Sequence, residues 1–187
     1  MITFEKTGLE NTTETLKLAL DSAKENGLDI VVATSTGDTV FQLLELAKEM
    51  DYTGNVVAVT HVYGMKEKGT NDCPAEAFAK MRENGVRIVT AAHALSGAER
   101  GLSSKFHGVY PVEIVAGALR MLGQGTKVCV EVALMANDSG NITYGKPVVA
   151  VGGSSHGADT ACIITPGYTA SLLDTKIHEI ICKPGLY

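Results

Sequence analysis

Four short runs rich in β-branched residues constrain this chain most: Ile30-Val31-Val32-Ala33, Val56-Val57-Ala58-Val59, the run 86–89, which Arg87 interrupts, and the run 148–151. Each is four residues long and bounded by turn formers, as expected of strands covered on both faces. Helix-patterned segments lie between them. Leu16, Ala19, Leu20 and Ala23 recur at helical spacing within 11–26, and Gly27 stands where a left-handed cap would close the helix. Val40, Leu43, Leu44 and Ala47 mark a second helix, 74–84 a third, and Pro111 opens a fourth that reaches residue 122. Strand–helix alternation of this kind makes β/α/β units, whose long crossovers produce a parallel sheet.

Two stretches are less regular. Residues 127–138 carry Val128, Val130 and Val132 in strand-like alternation, but Val128, Val132 and Met135 also fit one helical face ended by Gly140. The helix is favoured because it supplies the crossover into the strand at 148–151. Residues 90–108 read as a long polar loop with His93, Ser96, Gly97, Arg100, Ser103 and Ser104. Two further strands are expected at 161–165 and 177–182, with a short helix or turn near 168–173 between them. No repeat or linker divides the 187 residues, so 1–187 is expected to form a single α/β domain.

In an open parallel sheet, the loops leaving the carboxyl ends of the strands share one edge, where residues distant in sequence can meet. The first such loop is Thr34-Ser35-Thr36-Gly37-Asp38-Thr39, small hydroxyl residues around a glycine that lead directly into a helix. Free N–H groups and the helix dipole attract an anion there, so Ser35, Thr36, Gly37, Asp38 and Thr39 are candidate phosphate contacts. The same residues also satisfy a plain capped turn, and the Asp38 carboxylate would repel a phosphate unless it points away. The second strand ends in Thr60-His61, followed by Lys66 and Lys68 between Gly64 and Gly69. The third leads to His93, Ser96 and Gly97, and the fourth to Gly152, Gly153 and onward to Asp159 and Thr160. Lys68 can neutralise an anion as a point charge.

Other chemistries find less support. No two of the histidines sit at zinc-ligand spacing and no carboxylate is paired with them, so no metal is expected. Ser96 lacks the G-x-S-x-G frame of a hydrolase nucleophile. Glu131, set between valines, is either an ion-paired group or, with His93, an acid–base pair for a phosphate-ester hydrolase or lyase. The formal net charge of -5 and the scattered basic residues argue against a nucleic-acid partner. Apolar runs fall well short of the about 20 residues that cross a bilayer, and nothing at the start reads as a secretory signal, so the expectation is a cytoplasmic protein without a membrane partner. Cys73, Cys129, Cys162 and Cys182 form no CxxC pair and read as reduced, mostly buried thiols. A positive mean hydropathy, +0.11, is consistent with a homo-oligomer.

The loop 34–39 after a strand, and the stretch Val151-Gly152-Gly153 through Gly157-Ala158-Asp159-Thr160 before another, together resemble the two ligand loops of the pyruvate kinase C-terminal domain. The likeness is closer to small stand-alone proteins of that fold, found mainly in archaea. It extends along nearly the whole chain through Thr60-His61, Glu67-Lys68-Gly69, His93-Ala94-Leu95-Ser96-Gly97, Pro111-Val112-Glu113-Ile114 and Lys127-Val128-Cys129-Val130-Glu131. The resemblance implies a three-layer α/β/α fold with a mainly parallel sheet and one late antiparallel strand. It further implies a phosphate-bearing ligand at the carboxyl edge, which in the stand-alone relatives looks like flavin mononucleotide (FMN). It does not imply pyruvate kinase activity, whose chemistry belongs to a barrel domain that these residues do not contain. Two expectations follow: an FMN site with a flavin-dependent role, or a non-enzymatic regulatory or sensing domain for a sugar phosphate.

Overall fold

The computed structural model describes residues 1–185. In chain order its elements are β1 (Ile2–Phe4), α1 (Thr12–Asn26), β2 (Asp29–Ala33), α2 (Asp38–Glu49), β3 (Val56–Thr60), α3 (Ala75–Glu83), β4 (Arg87–Thr90), α4 (Gly97–Phe106), α5 (Pro111–Arg120), α6 (Gln124–Asp138), β5 (Val148–Gly152), β6 (Thr160–Thr165) and β7 (Lys176–Pro184). A 3-10 turn at Leu9–Asn11 precedes α1, and another at Thr169–Asp174 precedes β7.

One sheet joins the strands in the order β1-β7-β6-β5-β2-β3-β4. β4, β3, β2 and β5 run parallel, β6 runs antiparallel to both its neighbours, and β7 and β1 pair in parallel. The late antiparallel strand is therefore β6. Every residue of β3 and β5 is buried, which explains why both read as unbroken apolar runs.

Alternate side chains of β2 serve opposite faces. Ile30 and Val32 pack with Leu16, Leu20, Val40, Leu43 and Met81 of α1, α2 and α3. Val31 instead joins Val57, Ala116, Cys129, Ala133 and Leu134 beneath α5 and α6. The three layers are thus α1–α3, the sheet, and α4–α6.

α6 resolves the ambiguity of 127–138 in favour of the helix. Twelve of its fifteen residues are buried, so valines on every side satisfy either period. Two other features differ from the sequence reading. The segment 90–108 is not one long loop, because α4 forms inside it. None of the ten α4 residues is buried, so the helix shows no apolar stripe of the kind that betrays a core-packed helix. It is tied to α5 through polar groups: the Glu99 carboxylate accepts from the Glu113 N–H at 3.1 Å, and the Ser103 hydroxyl donates to Glu113 at 2.5 Å. The other feature is β1, which is three residues long and too short to show a period.

Leu134 is fully buried at the centre of the α6 layer. Leu134→Ala is expected to cost about 2–5 kcal/mol of unfolding free energy through lost burial and the cavity left behind, measurable by urea denaturation.

Candidate functional site

The loops leaving β2, β3, β4 and β5 enclose a cleft of about 370 Å³ at the carboxyl edge of the sheet. One wall comes from α6, whose Gln124, Lys127, Val128, Glu131, Val132 and Met135 recur at three- and four-residue intervals and form one continuous stripe. The remaining lining includes Ser35, Thr39, Thr60, His61, His93, Ser96 and Gly153, all expected from the sequence. A larger hollow of about 810 Å³ flanks β4, but Cys73, Phe78, Val86 and Ile88 line it, away from the β2 and β5 loops.

The loop after β2 is shaped by Gly37, at φ 104°, where a side chain would meet Phe41 and Ala77 within 3.0–3.2 Å. The Gly37 N–H donates to the Thr34 hydroxyl at 2.9 Å, which tightens the entry into α2. Asp38 is exposed and accepts a 2.6 Å hydrogen bond from Thr36, so these two side chains occupy each other outside the cleft lining. Asp38 thus lies outside the cleft lining, on the exposed side of the loop. Ser35 and Thr39 remain on the cleft, next to first-turn N–H groups that have no intrahelical acceptor.

The loop after β5 is braced from below. The buried Asp159 carboxylate accepts from the N–H groups of Ser154 at 3.2 Å and Gly8 at 3.3 Å, and from the Thr160 hydroxyl at 2.8 Å. Asp159 and Thr160 therefore hold the loop, while Gly153, Ser154, Ser155, His156 and Gly157 present it to the cleft. Gly153 is required by close approach, since a side chain there would stand 2.5 Å from the Gly157 carbonyl oxygen. Gly152 ends β5, and Gly97 opens α4 at φ 27°.

Two histidines face each other across the floor with ring centroids 5.6 Å apart. His61 donates from Nδ1 to Asp72 at 2.7 Å, and Lys66 lies 3.5 Å from the same carboxylate. The hydrogen bond from His61 holds the Asp72 carboxyl below its ordinary value, with burial opposing and Lys66 assisting. His93 has Nδ1 at 3.7 Å from Glu131, which is paired in turn with Lys127 one helical turn away. Burial pushes the His93 imidazole below its ordinary value against the pull of Glu131, while His61 and Lys127 push it the same way as burial.

Lys68 is exposed and outside the lining; Lys66 of the same loop takes its place. Sequence reasoning also missed Arg100, Arg120, Gln124 and Lys127. The i, i+4 spacing of Lys127 and Glu131 inside an apolar helix was the available signal for the last of these. Arg100 gave only its place in the polar segment 90–108, and Arg120 gave none; the packing of α5 on α6 and of α4 on α5 brings them to the cleft.

The fold and the cleft define an open α/β domain with its polar loops gathered at one sheet edge. Residues 13–164 match the family described as pyruvate kinase, alpha/beta domain, and the chain belongs to that family. The matched stretch includes every residue of the cleft lining and leaves β1 and β7 outside it.

Because the folded His93 favours its neutral form, its contribution to stability is complete above the unfolded value near 6.5 and is lost as pH falls through the lower folded value. The corresponding Asp72 contribution is lost only below 3.8. Melting curves from pH 7 to pH 5 are expected to fall more steeply for the native chain than for His93→Gln.

Proposed function

We propose that this protein binds a phosphorylated small molecule, FMN, in the cleft at the carboxyl edge of the sheet. The observation that carries the reading is the meeting, in one cleft, of an anion seat and an apolar wall. Ser35, Thr39 and the first turn of α2 supply hydroxyl and N–H donors for a phosphate. Ala33, Val59, Val128, Val132 and Met135, with the two imidazoles, supply surface for a flat ring. The chemistry of these groups fits the two ends of a flavin nucleotide. Bound FMN would supply redox chemistry, and the chain's part is to seat the phosphate and shape the surroundings of the ring. Four buried thiols support a reducing compartment, the cytoplasm.

A second reading is a regulatory or sensing site for a sugar phosphate. It is favoured by the polar character of much of the lining, including Ser96, Ser154 and Ser155, and by the lack, among the described residues, of a Phe, Tyr or Trp along it. The same phosphate seat serves both ligands.

The visible spectrum of the protein purified without added cofactor, followed by titration with FMN and riboflavin, separates them. Flavin bands retained through gel filtration, with riboflavin binding far more weakly, are expected for the FMN site. Protein that stays colourless and ignores both ligands would leave the sugar-phosphate reading in place. Ser35→Ala/Thr39→Val is expected to weaken FMN by at least about tenfold, the loss of one or two hydrogen bonds to a charged group, while changing riboflavin affinity little.

A further inference from the structure

The cleft straddles the sheet edge. The β2–α2 loop opens toward the α1–α3 layer, whereas Arg100, Arg120 and Lys127 belong to α4, α5 and α6 on the other side. The two lysines of the lining are paired, one on each side, and the two arginines are not. Lys66 is neutralised by Asp72, and Lys127 by Glu131. The Arg100 guanidinium has no partner among the described residues, and Arg120 donates from Nε only to the neutral amide oxygen of Gln124, at 2.9 Å. Accepting that bond fixes the Gln124 carbonyl toward Arg120 and leaves its NH2 group as a further donor.

Among the described residues none of the four arginines has a carboxylate partner, and Arg100 and Arg120 are the two that reach the cleft. Both line the same cleft, and a guanidinium presents paired N–H donors whose spacing matches a carboxylate or phosphate.

We infer that Arg100 and Arg120, with Gln124, form a second oxyanion subsite, separate from the β2–α2 seat, for the carboxylate of a small molecule that shares the cleft. The inference deepens the proposed function by giving the class of a second ligand, and it rests on that reading only for what lies beside it. Arg100 and Arg120 are exposed, so replacing them leaves the core packing intact.

The test is calorimetric titration of the protein with malonate at low ionic strength. Arg100→Gln/Arg120→Gln is expected to weaken malonate at least tenfold, whereas Ser35→Ala/Thr39→Val changes it less than twofold. Lys17→Gln/Lys48→Gln, which removes two exposed charges on α1 and α2, controls for net charge. A loss in the arginine variant no larger than in the lysine control would overturn the subsite, as would an equal loss in the Ser35/Thr39 variant. Inorganic phosphate binding the arginine pair while malonate does not would overturn the carboxylate assignment. FMN titrations of the same variants report on the proposed phosphate seat separately, so either idea can fail alone.

Discussion

Burial of the central strands on both faces is the constraint from which the rest follows. β3 and β5 offer no polar side to water, so helices must cover each face, and covering both between parallel strands requires a crossover at each step. Every outgoing loop of β2, β3, β4 and β5 then emerges at the same edge. The cleft results from this topology, with no single loop long enough to make it.

β6 breaks the parallel run, and the break shapes one wall of the site. A strand that returns antiparallel to β5 needs only a short connection, so the segment between Gly152 and Thr160 is compact and lies against the cleft. Its shape depends on Asp159, whose buried carboxylate gathers two backbone N–H groups and a hydroxyl. Hydrogen bonds to a charged acceptor are among the stronger ones, which suits a loop built largely of glycine and serine with Ala158 as its core-packed side chain.

A run of charged and titratable groups links the α6 wall to the loop after β3: Lys127, Glu131, His93, His61, Asp72 and Lys66. Charges buried in an apolar helix are costly, and the Lys127–Glu131 pair offsets part of that cost within one turn of α6. With these groups satisfied among themselves, the donors that remain on the cleft include the first turn of α2 and the side chains of Ser96, Arg100, Arg120, Ser154 and Ser155.

Much of this organisation was legible in the sequence. The apolar runs at β2, β3 and β5 specify strands because a short run of β-branched residues without a polar side, bounded by turn formers, has few alternatives of that length, and Gly27 and Pro111 mark helix ends through backbone geometry alone. Ser35, Thr39, His61 and His93 could be placed at one edge because parallel topology puts strand ends together whatever the details. The sequence could not exclude a strand at α6, since a helix buried on nearly all sides loses the period that identifies it, nor reveal α4, which buries nothing. Roles that depend on side-chain direction were decided by the tertiary structure alone: Asp38 turned to Thr36, Asp159 turned beneath its loop, and Arg100 and Arg120 were brought to α6. Local sequence determines backbone preference and burial period, but which side chains converge depends on how helices pack across the sheet, a relation between residues that no local pattern encodes.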